Sequence, residues 1–233
     1  MINNKKCTAI ITAAGSGKRM GSDQKKQFIT LLGKPVIAYT LEKFQNTAEI
    51  DEIILVVSED DIDFCRHEIV EKYGFTKVKS IISGGAERQE SVYKGVMLAA
   101  ESDGLILIHD GVRPFVRKSD IVKTAEAADE FGAAVLAVRV KDSLRSLDGN
   151  ISKSVPRENM WQVQTPQGFR SEIIVEAHKK AAEDGFLGTD DAVLAERLGY
   201  NIYLVEGSYD NIKITTPEDL VFSEAVLKKE TGE

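Results

Sequence analysis

The chain is predicted to fold as an α/β domain, doubly wound around a mostly parallel sheet. Two observations carry that expectation. Short β-branched runs alternate with longer stretches of helical period along the whole length. The most apolar run, Leu105-Ile106-Leu107-Ile108, shows no polar alternation, as befits a central strand covered by helices on both faces. In sheets of this kind ligands bind where loops leave the carboxyl ends of the strands.

The elements follow in order. Strands are expected at Cys7–Thr12, Ile53–Val57, Val78–Ile82, Leu105–His109, Ala133–Val140 and Ile202–Val205. Helical period appears in Val36–Phe44, Ile62–Tyr73, Glu87–Ala100, Ser119–Phe131, Glu172–Glu183, Asp190–Leu198 and Pro217–Lys229. One segment breaks the rhythm. Ser143–Leu147 and Ile151–Val155 flank Asp148-Gly149-Asn150, a hairpin-turn signal. An isolated hairpin is only marginally stable in water, so these arms pack on another subunit or lie on their own domain.

At 233 residues the chain suits one large domain, residues 1–233, with the hairpin as an arm at about 141–158. Hydrophobic residues at 42% and charged residues at 29% exclude an intrinsically disordered chain. No stretch approaches the run of about 18 apolar residues that spans a bilayer, and Met1–Lys6 has no signal-peptide core. Cys7 and Cys65 lack metal-type spacing and read as buried free thiols, which suits a reducing cytoplasm. The net charge of −7 argues against nonspecific nucleic-acid binding, yet leaves room for a local basic pocket.

Positive charge does cluster. After the first strand comes Ala13-Ala14-Gly15-Ser16-Gly17-Lys18-Arg19-Met20-Gly21, in which small residues let backbone N–H groups approach an anion. Arg19 offers a bidentate fork to phosphate oxygens, and Lys18 or Lys26 a point charge. The spacing matches neither the dinucleotide fingerprint nor the Walker loop. A tight strand-to-helix turn with solvated lysines is the competing reading. Lys25-Lys26 follows closely enough for a part in holding a triphosphate.

Gly84-Gly85 after the third strand permits close approach to a base or ribose, with Arg88 and Ser91 at the start of the next helix. Alternatively this is a plain turn with Arg88 paired to a glutamate. His109-Asp110-Gly111-Val112-Arg113 ends the apolar strand, where a carboxylate is costly unless something positive meets it. Mg²⁺ is one partner for Asp110, since that ion combines one or two carboxylates with phosphates and water; an Asp110–Arg113 ion pair is the other. Arg113 would then serve a second substrate's phosphate. His109 reads as structural. Arg157, Trp161, Thr165-Pro166-Gln167 and Asn211–Thr215 complete the inventory, with Thr165 and Pro166 as a substrate wall and Lys213 as a further ammonium. Thr189-Asp190-Asp191 reads as a helix cap with acidic residues in the first turn.

Together these blocks closely resemble the 2-C-methyl-D-erythritol 4-phosphate cytidylyltransferase family of sugar-phosphate nucleotidyltransferases. The matching stretches are Ala13–Gly21 with Lys26-Gln27, Gly84–Val92, His109–Pro114, Trp161–Phe169, Thr189–Ala192 and Asn211–Leu220, six ordered blocks across nearly the whole chain.

The resemblance implies a Rossmann-like nucleotidyltransferase sheet with a protruding arm. It implies transfer of CMP from CTP to methylerythritol phosphate in non-mevalonate isoprenoid precursor synthesis. Ala13, Ala14, Gly15 and Gly17 would cradle the triphosphate, while Arg19 and Lys26 stabilise developing charge. Gly84, Gly85, Arg88 and Ser91 would surround cytosine and ribose, and Asp110 would hold Mg²⁺ or substrate. Arg113, Ser143, Thr165 and Lys213 would face the acceptor. Arg157 would arrive from a neighbouring subunit, making a homodimer, and would position the attacking phosphate with Lys213.

Lys25, Ala86, Ser143 and Lys94 depart from the proline, aspartate, threonine and asparagine common in such relatives. Lys25 puts the tightness of its loop in doubt, and Ala86 puts one base- or ribose-side contact in doubt. A ribitol-5-phosphate cytidylyltransferase shares the loop, the His-Asp motif and the arm, but Trp161 and Arg157 look more like the methylerythritol version. A non-catalytic nucleotide-binding module and a nicotinamide dehydrogenase are the remaining alternatives.

Overall fold

The computed structural model describes residues 1–15, 25–100 and 103–231, with side chains to residue 229. Its strands are β1 (Cys7–Thr12), β2 (Thr30–Leu31), β3 (Lys34–Pro35), β4 (Glu52–Val57), β5 (Val78–Ser83), β6 (Leu105–Asp110), β7 (Ala133–Arg139), β8 (Leu144–Asp148), β9 (Ile151–Val155), β10 (Trp161–Arg170) and β11 (Tyr203–Glu206). The helices are α1 (Val36–Gln45), α2 (Ile62–Phe64, continued through wide π turns over Cys65–Glu71), α3 (Arg88–Ala99), α4 (Lys118–Phe131), α5 (Ser171–Glu183), α6 (Asp191–Arg197) and α7 (Pro217–Thr231). Each expected strand and helix is present, with boundaries displaced by a few residues at most.

Seven strands form one sheet in the order β11-β7-β10-β6-β1-β4-β5. All pairings are parallel except those of β10, which runs antiparallel to both β6 and β7. Alternate residues along each strand feed opposite faces. Ala9, Ile11, Ile53, Leu55 and Leu107 pack with α1, α2 and α4 on one side. Ile10, Ile54, Val56, Ile106 and Ile108 pack with α3, α5 and α6 on the other. Both faces are dry, which explains why the strands read as continuous apolar runs.

Strand β10 was not expected. Pro166 and Gly168 are unfavourable in a strand interior and suggest a turn instead. The strand tolerates Pro166 because its pairing with β7 slips between Val163 and Gln167, a bulge that frees the proline from the ladder, while Gly168 stays in the ladder at a point where a Cβ would stand 2.8 Å from Leu107. Its place between β6 and β7 is enforced by Phe169, which is fully buried in the second core layer.

The hairpin β8–β9 forms its own two-stranded sheet and does not join the main one. Asp148 pairs with Ile151, so Gly149-Asn150 makes a two-residue turn, with Gly149 at φ +55° as such turns require. Leu147 and Ile151 are 73% and 68% exposed, a pair of large apolar side chains uncovered within this chain. Among the described residues no helix is long and apolar enough to cross a membrane.

Candidate active site

The chain leaves β1, adds β4 and β5 on one side, then crosses to place β6 on the other. The crevice at the carboxyl ends of β1 and β6 is therefore the switch point of the winding, where open α/β sheets bind ligands. Thr12 stands directly opposite Asp110 there. A cleft of about 160 Å³ opens at this spot, with Ala13, Ala14, Gly15, Lys26, Gly85, Arg88, Ser91, Asp110 and Lys213 in its wall.

Two glycine devices shape the floor. A Cβ on Gly84 would stand 2.6 Å from both Ala14 Cβ and Ser91 Oγ, so only glycine lets the β5 loop close against the β1 loop. Gly85 is equally tight against Glu90. Gln27, buried behind the β1 loop, donates from Nε2 to the carbonyls of Ala13 (2.8 Å) and Gly15 (3.3 Å). These bonds occupy the loop carbonyls and help hold its backbone in place.

Asp110 is the electrostatic centre. Arg88 Nε lies 3.3 Å from its Oδ1, while Lys213 Nζ at 2.9 Å and Arg113 Nε at 3.4 Å share Oδ2. Burial opposes ionisation of this carboxyl, but the charges of Arg88, Lys213 and Arg113 outweigh it and hold it well below the usual carboxylate range. Three cations on one carboxylate leave a surplus of positive charge facing the cleft.

His109, just behind, is fully buried and borders no solvent. Its Nε2 meets the Arg113 carbonyl at 3.1 Å and therefore carries the proton. Nδ1 then accepts from the Thr165 hydroxyl at 3.0 Å, and Thr165 Oγ1 in turn accepts from the Asp110 N–H at 3.1 Å. This relay locks the end of β6 to the bulge of β10.

Lys213 owes its place to the residues around it. Ile214 is buried with Val112, Phe115 and Leu227, its N–H bonds the Val112 carbonyl at 2.9 Å, and Arg113 reaches the Asn211 carbonyl at 2.9 Å. Asn211, itself buried, ties this segment to β10 through Gln164 and the Thr165 carbonyl. A second, more open cleft lies alongside, with Arg113, Gln164, Asn211 and Lys213 in its wall. Lys213 lines both clefts.

Of the site residues expected from sequence, Ala13, Ala14, Gly15, Lys26, Gly85, Arg88, Ser91, Asp110 and Lys213 meet in the first cleft, with Gly84 packed beneath it. Arg113 lines the second. Gly17 and Arg19 lie outside the described residues.

Ser91 spends its hydroxyl on the turn itself, accepting from Gly85 N–H at 3.0 Å and donating to the Glu87 carbonyl at 3.1 Å. Ser143 and Arg157 sit exposed on the arm, Arg157 bonding the Lys141 carbonyl, and neither lines either of these two clefts. Arg88 pairs with Asp110 and Asp191 rather than with a glutamate.

One reading needs correction. Lys25 does not line the cleft beside Lys26, because Asp61 at 2.6 Å and Ser58 at 2.8 Å hold its ammonium. The expected cap and acidic first turn of α6 are both present, and Asp191 has a further partner. Asp190 caps α6 through Val193 N–H at 3.1 Å, whereas Asp191 is 1% exposed and bonds Arg88 Nη1 at 2.8 Å. Gln27, Asn211 and Asp191 also build the site, a part that the sequence does not assign to them. Each does its work through contacts distant in sequence, and only its place inside a matching block gave a signal.

A doubly wound sheet whose switch-point cleft gathers cations around one buried carboxylate, under a small-residue loop, suits a phosphate-bearing ligand of the kind that nucleotidyltransferases handle. The family model IspD, 2-C-methyl-D-erythritol 4-phosphate cytidylyltransferase, matches residues 7–229, and the chain belongs to that family. The protein of that name from Geotalea uraniireducens is 47% identical over 229 residues, covering 97% of this chain and 98% of its own. Its counterpart from Clostridium acetobutylicum is 48% identical over 223 residues, covering 95% and 97%. The crystal structure of 4-diphosphocytidyl-2C-methyl-D-erythritol synthase from Anaerococcus prevotii superposes with a TM-score of 0.85 at 36% identity, covering 97% of this chain and 98% of that one. The chain is thus a cytidylyltransferase-family enzyme, and the dehydrogenase reading falls away.

The buried histidine yields a pH prediction. Burial pushes His109 down from 6.5 to about 4, so the unfolded chain takes up a proton first as pH falls. Stability is therefore fully present above pH 6.5 and declines towards pH 4, by about 3 kcal/mol for this group. In urea melts across that window, the His109→Gln protein should show a correspondingly shallower loss of stability than the parent; an unchanged slope would contradict the assignment.

Proposed function

We propose that this chain transfers CMP from CTP to 2-C-methyl-D-erythritol 4-phosphate, releasing pyrophosphate and supplying the non-mevalonate route to isoprenoid precursors. The observation that carries the reading is the shared ammonium of Lys213, which lines both the switch-point cleft and the second cleft beside Arg113. Two anions entering from the two sides meet beside it.

The acceptor phosphate is already anionic and needs no protein nucleophile. One of its oxygens forms a bond to the α-phosphorus while the α–β bridging bond breaks in line and pyrophosphate leaves with the electron pair. The barrier is mutual repulsion plus charge gathering on the transferring phosphoryl group, so catalysis is positioning and electrostatic stabilisation. Ala13, Ala14, Gly15 and Gly17 hold the triphosphate with backbone donors, and Arg19 and Lys26 offset its charge. Gly84, Gly85, Arg88 and Ser91 shape the base and ribose side. Arg113, Thr165 and Lys213 face the acceptor, with Thr165 acting through the geometry it imposes on Asp110.

Magnesium fits this site as an ion that arrives with the nucleotide. Asp110 in the cleft would give it an acidic ligand beside substrate phosphates and water. When bound, the ion would neutralise phosphate charge. Asp110 would contribute one oxygen to it, with Lys213, Arg113 and Arg88 keeping that carboxylate ionised.

Arg157 and Ser143 reach the acceptor from the arm of a second copy, making the enzyme a homodimer. Their exposure, together with the uncovered Leu147 and Ile151, supports that reading. A cytoplasmic setting fits Cys7 and Cys65, two buried thiols whose burial pushes both up to about 12.

Three measurements test the proposal. Pyrophosphate release with CTP and Mg²⁺ should favour methylerythritol phosphate over ribitol 5-phosphate by roughly tenfold or more; the reverse preference would assign the other acceptor, and CTP binding without release for either would mark a binding module. Lys26→Ala should lower turnover by roughly hundreds-fold while the melting temperature stays near the parent's, since one pre-placed donor is worth about 3–4 kcal/mol. Arg157→Ala and Lys213→Ala should each be inactive as homodimers, yet a mixed dimer of the two should regain about half the parental sites, because two-fold symmetry leaves one composite site intact. A mixed dimer as inactive as its parents would place Arg157 in its own chain's site.

A further inference from the structure

We infer that Asp191 is a positioning residue for the transfer reaction, acting through Arg88. The inference rests on the proposed nucleotide cleft but concerns a residue that does not line it. Arg88 is held between two carboxylates. Its Nη1 donates to Asp191 Oδ2 at 2.8 Å, whereas its Nε reaches Asp110 Oδ1 at a longer 3.3 Å. An arginine facing a single aspartate tends to pair with both of its oxygens. Here Asp191 draws the fork to one side, so Arg88 takes only one Asp110 oxygen and leaves Oδ2 to Lys213 and Arg113.

Asp191 is built for that task. It is 1% exposed, and its other oxygen, Oδ1, lies 3.3 Å from Nε2 of the equally buried His178, which stacks on Tyr93. The Asp191 and Ala192 N–H groups donate to Gln167 Oε1 at 3.1 and 3.2 Å, which fixes the start of α6 to β10. Gln89, the neighbour of Arg88, pins the incoming loop through the Phe186 carbonyl and the Gly188 N–H, both at 2.8 Å. Burial opposes ionisation of Asp191, yet the Arg88 charge holds its carboxyl below the usual range. A buried carboxylate with this much scaffolding, one side chain removed from the cleft, sets where the guanidinium stands and how the cations divide on Asp110.

The experiment is a double-mutant cycle on the full chain, reading kcat and both KM values by pyrophosphate release, with melting temperature in parallel. Asp191→Ala should lower kcat about tenfold or more. In the Arg88→Ala background, where there is no guanidinium to place, the same change should leave kcat within about twofold. An equal fold-loss in both backgrounds, or a loss of melting temperature with kcat intact, would overturn the inference and leave Asp191 a structural residue. If Asp191→Ala does not fold, the isosteric Asp191→Asn runs the same cycle, with the same two outcomes deciding. The parent enzyme is the control for the underlying reading: a parent inactive with CTP and either acceptor refutes the proposed reaction itself, whereas an active parent with no coupling refutes only the role of Asp191.

Discussion

One buried charge organises the working end of this molecule. Asp110 closes the most apolar strand of the sheet, where an ionised carboxylate is tolerable only with close positive partners. Its partners come from three places: Arg113 from the turn just after the strand, Arg88 from the start of α3, and Lys213 from a segment a hundred residues further on. Remove the carboxylate and three cations would repel one another at the mouth of the cleft. Keep it, and they stand in fixed positions with surplus positive charge aimed where phosphates must meet. The overall charge of −7 is no obstacle, because at these distances the neighbouring groups outweigh remote ones screened by water.

The fold makes such placement rigid. Each partner is anchored to a core layer: α3 packs through Val92 and Val96 on one face of the sheet, and the Lys213 segment is held by Ile214 in a separate cluster. The antiparallel β10 contributes twice. Its bulge carries Thr165 to His109 and the Asp110 backbone, and Gln167 holds the N-terminus of α6. A site built by side chains on packed elements, with supporting bonds behind each, meets the positional tolerance that electrostatic catalysis demands.

The arm follows a different logic. Its two strands bury little of their own surface and leave Leu147 and Ile151 to solvent. Such a ribbon gains stability only by covering those side chains. A site completed by a second copy would make pairing and catalysis depend on each other, with Arg157 as the group that links them.

The sequence by itself determined the architecture and the chemistry of the cleft. Strand runs feeding two dry faces are local in pattern, and so are glycine-rich turns and cations placed just after strand ends; such signals survive in one dimension. It did not determine β10, whose proline is unfavourable within a strand and is accommodated by a bulge that exists only once β7 is alongside. Nor did charge pattern alone, without the family resemblance, separate Lys26 from Lys25, or Asp190 from Asp191. Adjacent residues with the same charge look alike until the fold decides which one finds Asp61, which one finds Arg88, and which one faces the cleft. Tertiary structure settled those choices because burial and charge partnership are properties of neighbours in space, and the neighbours here lie tens to hundreds of residues apart along the chain.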